Sequence, residues 1–355
     1  QGRIQTDDQV VFAISGSGQT VGTALYKFDD LPERLGNGHD SPKKERLPLP
    51  VPKRTFGVRI VAAATDSGAT ESNQQVFTEY RVVNSAIHAT QVCLEAVGWK
   101  PNDVELLIHA GVYRDQFLSE PAVAAIVAGE LKMNDRMPHD PARQTLAYDL
   151  SDAGRGSLAA MSVVASSIRM GRAKRALVTA SEIENEVADN LSRGVAEVGS
   201  AIALQVTDEV DKGFGDFFFR SYPHFSGALV TTTKLHQGKA VLAIERTEQL
   251  EDALVHSVQD CVSAFLDANA QSIDDYDRVL VSIPDTVSFD RLAAVLRMDA
   301  DRLVTPVISV KGDAFTSGLA FMWQRLMEFE RIDNQRWLLV AAGAGIEVGC
   351  VEYRH

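Results

Sequence analysis

Few residues in this chain have the type and spacing that chemistry needs. The three cysteines, Cys93, Cys261 and Cys350, lie far apart. They form no Cys-x-x-Cys pair and no Cys/His cluster, so neither a disulfide framework nor a zinc site is indicated, and no metal is expected. A reducing compartment fits that usage best. Cys93 falls among apolar neighbours at helical spacing and reads as core. Tyr113-Arg114-Asp115 follows an apolar strand, at the edge where α/β proteins place ligands, which makes Arg114 a pocket-lining candidate. His109 ends that strand and reads as structural. His224, in Ser221-Tyr-Pro-His-Phe-Ser, falls in a loop, where a histidine is solvated unless it reaches a pocket. Arg169, Arg172, Lys174 and Arg175 close a helix, where the dipole favours cations. Ser15-Gly16-Ser17-Gly18 follows a strand and could cradle phosphate, but no GxGxxG and no helical period come after it.

The elements that must position these residues alternate. Val10 to Ile14 reads as a strand, and Leu31 to Lys53, with five prolines, as an irregular flap or contact loop. Apolar residues at helical spacing run from Glu71 to Val97, stopped by Gly98, and a buried strand follows from Val104. The pattern continues with helix Glu120 to Leu131, strand Thr145 to Leu150, helix Ser157 to Met170 and strand Ala176 to Ala180. Helix Glu251 to Asn269 and strand Arg278 to Ile283 repeat it. Ser157-Leu-Ala-Ala-Met matches Gly318-Leu-Ala-Phe-Met, and at the same spacing of about 161 Arg175-Ala-Leu-Val lies over Arg336-Trp-Leu-Leu. A strand–helix unit recurring in register predicts two duplicated α/β halves, residues 1–207 and 208–355.

With 355 residues and 45% hydrophobic content the chain has ample core material. Its net charge of −13 argues against nucleic-acid binding, which needs a basic surface. No apolar run reaches the roughly 18 residues of a membrane helix, and the polar first residues lack a signal peptide's apolar stretch. A soluble cytoplasmic protein is expected.

Several local stretches then narrow the reading. Thr55-Phe-Gly-Val-Arg, Val97-Gly-Trp-Lys-Pro-Asn-Asp-Val-Glu-Leu-Leu-Ile, Asp149-Leu-Ser-Asp-Ala-Gly-Arg-Gly-Ser, Ile168-Arg-Met-Gly-Arg-Ala-Lys-Arg-Ala-Leu-Val, Glu197-Val-Gly-Ser-Ala-Ile-Ala, Ile283-Pro-Asp and Lys311-Gly-Asp-Ala-Phe-Thr-Ser occur in that order. Together they resemble the thiolase-like superfamily, on its β-ketoacyl-carrier-protein synthase III branch. The resemblance implies a five-layered α/β/α/β/α fold of two duplicated halves and a homodimer or heterodimer. It also implies an acyl-CoA or acyl-carrier-protein thioester as substrate, with no other cofactor. In this context the basic cluster Arg169, Arg172, Lys174 and Arg175 gains a second reading, as a dock for an acidic carrier protein or CoA phosphates.

Family members use a Cys-His-Asn triad, in which the cysteine takes the acyl group and the other two assist decarboxylation and hold the oxyanion. Carried over, these positions are Gly154, Asp285 and Asp313. Glycine cannot form an acyl-enzyme, although it suits a tight strand-to-helix turn. Neither neighbouring hydroxyl is a persuasive replacement. Ser151 lies earlier on the strand and is kept as substrate-binding, together with Arg114 and His224, and Ser157 is better placed to cap. Two converging carboxyls at Asp285 and Asp313 could serve as acid and base, or be helix-start carboxylates without chemistry.

Two functions then stand nearly level. One is an enzyme of fatty-acid or secondary, polyketide-type metabolism that transfers or hydrolyses an acyl thioester with Asp285 and Asp313 and no covalent intermediate. The other is a catalytically silent partner subunit, as in heterodimeric synthase III-like complexes such as those making alkylquinolones.

Overall fold

The computed structural model describes residues 5–16, 20–30, 55–67, 75–135, 144–183, 194–236, 238–284, 287–308, 312–329 and 332–355. It separates into two compact units, Gln1–Lys53 and Arg54–His355. Among its described residues the first unit holds an antiparallel pair, β1 (Gln9–Gly16) and β2 (Thr20–Lys27). The expected irregular segment 31–53 lies outside the described residues.

Among the described residues the second unit holds every other element. Its first part runs β3 (Gly57–Asp66), α1 (Arg81–Val97), β4 (Leu106–His109), α2 (Val123–Glu130), β5 (Leu146–Asp149), α3 (Gly156–Arg169), β6 (Arg175–Glu182) and β7 (Val198–Thr207). Then come β8 (Gly213–Ser221), the hairpin β9 (Leu229–His236) and β10 (Lys239–Arg246), and α4 (Leu250–Asn269). The chain ends with β11 (Arg278–Ser282), α5 (Phe289–Leu296), β12 (Leu303–Val304), α6 (Gly318–Phe329), β13 (Arg336–Gly343) and β14 (Glu347–Arg354). Helix α1 starts ten residues later than its apolar spacing suggests, and it stops where the sequence placed the stop. Gly98 is left-handed (φ 67°) and its N–H bonds the carbonyls of Glu95 and Leu94.

Strand order is the same on both sides of the junction between β3 and β8. One set reads β5-β4-β6-β7-β3 and the other β12-β11-β13-β14-β8, joined where Val58 pairs with Gly213. In each set the first three strands are parallel, and the last two add antiparallel pairs. Strands β6 and β13 begin and end at the same spacing that relates the two sequence repeats.

Alternation along those strands explains the layering, because neighbouring side chains face opposite sides of a sheet. Ala176, Val178 and Ala180 of β6, and Trp337, Leu339 and Ala341 of β13, enter one central core with α3 and α6. Leu177 faces outward under α1 and α2, and Leu338 and Val340 face outward under α4 and α5. The result is an α/β/α/β/α stack. Burying a side chain such as Leu339 or Met322 contributes about 1.5–3 kcal/mol each, so this shared central core stabilises both halves at once. No helix among the described residues is long and apolar enough to cross a membrane.

Candidate functional site

The turns that precede α3 and α6 meet at the centre of the stack. In the first, positive φ falls on Ala153 (44°), not on Gly154. Glycine at 154 is therefore required by close approach more than by backbone angle. A Cβ built there would lie 2.8 Å from the Ala342 carbonyl oxygen, 3.5 Å from Phe315 Cε2 and 3.7 Å from Gly343 Cα. From the other side, a Cβ on Gly343 would meet Gly154 N at 2.8 Å and Ala153 Cβ at 2.9 Å. Two glycines thus let the end of β13 close against the turn from which a nucleophile would project.

Phe315, in the second turn, occupies the position equivalent to Gly154 at the repeat spacing, with φ 47°. Its ring is buried against Tyr113 (centroids 5.0 Å apart) and Val195, with Ala153 and Ile244 alongside. The segment 315–317 is held from four directions. Ser282 donates to the Phe315 carbonyl (3.4 Å), Ser157 donates to the Thr316 carbonyl (2.5 Å), and the Ser200 and Ser317 hydroxyls are 2.9 Å apart. Thr316 donates its hydroxyl to the Glu182 carboxylate. Ser157, expected to cap α3, instead reaches across to the other half; the cap residue is Arg155, with no side-chain cap bond.

Asp313 sits at the start of the same turn. Its Oδ1 accepts the Phe315 N–H (2.8 Å), its N–H donates to Gly194 O (2.5 Å) and its carbonyl accepts from Ala196 N (2.9 Å). It also borders a small cavity of about 60 Å³ with Val281, Ile283, Pro284 and Pro306. Asp285 lies outside the described residues.

A larger cavity, about 500 Å³, opens where β4 and β5 end, with Val112, Tyr113, Arg114, Phe117, Leu118, Ser119, Ala122, Asp149, Ser151 and Thr231 in its wall. It brings Arg114 and Ser151 together. Arg114 is buried and ion-paired to Asp149 at 2.9 Å; its Nε and Nη2 bond Gly111 O, and Nη1 also reaches Leu118 O at 3.4 Å. Asp149 in turn accepts the N–H groups of Val123 (3.0 Å) and Ala124 (2.9 Å), so one carboxylate both neutralises the guanidinium and caps α2. His224 is elsewhere, exposed in a short turn with its ring 4.1 Å from Phe225. His109 is fully buried, its Nδ1 3.2 Å from Thr179 Oγ1, and burial pushes its pKa down to about 4. Burial likewise pushes the Cys93 thiol up to about 12.

Of the basic cluster, Arg169 is bound to the Phe214 and Gly215 carbonyls. Arg175 lies over Trp99 (5.2 Å) and 3.5 Å from Asp103, while Arg172 and Lys174 are exposed.

Two groups escaped the sequence reading. Glu182, at the end of β6, is buried and accepts N–H from Val112 (3.2 Å) and Tyr113 (2.7 Å) besides the Thr316 hydroxyl. Burial pushes its pKa up to about 7, opposed by those hydrogen bonds and by Arg114. The available signal was an acidic residue closing an otherwise apolar buried strand. The second group flanks Gly154: Arg155 Nη2 binds Asp152 (2.7 Å) and Glu347 (2.6 Å), and Ser221 donates to Glu347 (2.9 Å). Burial raises the Asp152 pKa against the pull of Arg155. Nothing in one sequence links Asp152 to Glu347. Among the described residues no group of His, Cys, Asp and Glu is placed to hold a metal ion.

The fold is that of the thiolase-like proteins, and several solved structures align with the chain over most of its length. It aligns with a priming β-ketosynthase of a polyketide biosynthetic pathway at TM-score 0.69, with 17% identity, 87% of this chain and 98% of that one covered. The 3-oxoacyl-[acyl-carrier-protein] synthase III of Aquifex aeolicus gives 0.65, with 15% identity and coverages of 84% and 100%. Xanthomonas campestris OleA, determined with lauric acid and lauroyl-CoA, gives 0.66, with 16% identity and coverages of 85% and 100%. Among curated proteins the chain is similar to the β-ketoacyl-[acyl-carrier-protein] synthase III of Anaplasma marginale, 26% identical over 281 residues, covering 74% of this chain and 81% of that protein. The protein of the same name from Thiobacillus denitrificans is 25% identical over 275 residues, with coverages of 76% and 83%. No protein-family model matches the chain.

Proposed function

We propose that this chain is a ketosynthase III-like subunit that forms no acyl-enzyme and serves as the silent partner of a cysteine-bearing chain. The pair would handle acyl-CoA or acyl-carrier-protein thioesters in cytoplasmic fatty-acid or polyketide-type biosynthesis. The observation that carries this reading is the closure at position 154, where even a Cβ would meet the Ala342 carbonyl. Asp313 supports it, because the carboxylate already accepts the Phe315 N–H, and a fixed negative charge there opposes an oxyanion. The relatives named above, a carrier-protein synthase, a polyketide priming ketosynthase and a lauroyl-CoA-bound protein, motivate the thioester chemistry.

The test is an assay of the purified chain alone and mixed with a synthase III-like chain that keeps its cysteine. Activity only in the mixture, unchanged by Asp313→Asn in this chain, is expected. Thioester turnover by the chain alone, lost in Asp285→Asn or Asp313→Asn, contradicts it and supports the second reading, a non-covalent acyltransferase or hydrolase. One observation favours that second reading: Asp313 borders a small cavity, which Ile283 and Pro284 also line.

A further inference from the structure

The cavity at the ends of β4 and β5 is not needed by a silent subunit, yet it is both roomy and firmly built. Its volume of about 500 Å³ falls within the range of small-molecule sites. Its wall is pinned from behind. Glu182 holds the backbone of Val112 and Tyr113, and the Arg114–Asp149 pair ties the loop after β4 to the start of α2. A site so fixed costs little ordering when a ligand enters.

Its chemistry selects against charge. Each of the three guanidinium nitrogens of Arg114 already has a partner, in Asp149 or in the carbonyls of Gly111 and Leu118. An anionic ligand would meet the negative charge of Asp149, which two amide N–H groups hold in place. A cation would meet Arg114. What remains for recognition is apolar surface from Val112, Phe117, Leu118 and Ala122, and hydroxyls from Ser119, Ser151 and the Tyr113–Thr231 pair. Hydroxyls both donate and accept, which suits carbonyl and hydroxyl oxygens on an otherwise apolar ligand.

We propose that this cavity binds a small uncharged, largely apolar ligand carrying hydroxyl or carbonyl oxygens, between Arg114, Ser119, Ser151 and Thr231. This goes beyond the subunit reading and does not rest on it; binding is measured on this chain without any partner.

The experiment is calorimetric titration of the full chain with 4-hydroxybenzamide and with 4-hydroxybenzoate, which match in shape and differ in charge. Saturable binding of the amide, at least about tenfold tighter than the benzoate, is expected. Ser119→Trp, at the exposed rim, should abolish it, and Ser151→Val should weaken it severalfold with the melting temperature unchanged. Absence of saturable amide binding, equal or tighter binding of the benzoate, or amide binding that survives both variants overturns the proposal. Should Ser119→Trp misfold, Ser151→Val alone carries the decision.

Discussion

Two regions that adjoin at the segment from Asp149 to Gly154 are built in opposite ways. The turn at Gly154 is closed: glycine meets glycine, the Ala342 carbonyl oxygen stands 2.8 Å from where a Cβ would be, and the Phe315 ring lies alongside. The cavity at Arg114 is open, and its charges are matched within its own wall. Both begin at the ends of parallel strands on one side of the same half, so topology alone does not separate them. Side-chain volume and charge do. The contrast teaches that a fold can fill the place where its chemistry would occur and still keep space for a ligand beside it.

Breaking the open region should have the largest effect. Arg114→Met leaves the half-buried carboxylate of Asp149 without its cation, and loss of one partner of a fully buried pair typically costs about 3–5 kcal/mol. Chemical denaturation should show destabilisation toward the low end of that range at neutral pH, because Asp149 keeps its two backbone N–H donors, and Arg114→Met/Asp149→Asn should recover part of it.

Glu182 links the two regions, bonding the cavity wall on one side and Thr316, beside Phe315, on the other. Its folded pKa, about 7, stands above the ordinary 4.5. The native state therefore keeps this proton more readily than the unfolded chain does. Stability contributed by the protonated form is complete below about pH 4.5 and is lost as pH rises through 7, by about 3 kcal/mol at one pKa unit per 1.36 kcal/mol. Denaturation midpoints of the wild type and Glu182→Gln, measured from pH 5 to 8, should converge at low pH. Between pH 5 and 7 the wild type should lose stability while the Gln variant shows the flatter profile, and above pH 7 the two profiles should run parallel.

The closed region should respond less, and in a defined direction. Gly154→Cys forces a side chain against the end of β13, an overpacking cost of about 1–3 kcal/mol read as a lowered melting temperature. Asp313→Asn should be the smallest change, within about 0.5 kcal/mol, because an amide oxygen can still accept the Phe315 N–H.

Much of the fold was legible because burial patterns are local. The spacing that aligned Arg175 with Arg336 also aligns the first residues of β6 and β13, and Gly98 marked the end of α1. The start of α1 was not legible, since residues 75–80 carry apolar side chains without helical backbone. At the site, Arg114 and Ser151 were identifiable as neighbours of strand ends. Glu182, Thr316, Ser157 and Ser200 were not, because their bonds join residues more than a hundred positions apart or across the two halves. Gly154 was visible as a missing nucleophile. That its space is filled depends on Ala342, Gly343 and Phe315, which only the folded chain brings there.

The closure at position 154 is the central claim, and it is tested most directly by giving that position a thiol. Wild-type protein and Gly154→Cys would be incubated with an acyl-CoA under native conditions, followed by intact-protein mass measurement and peptide mapping. The closed turn predicts no acyl adduct on either protein, with the introduced thiol unmodified. An acyl group mapped to that thiol at near-stoichiometric level, in a variant that melts like the wild type, would show the position to be open and contradict the account.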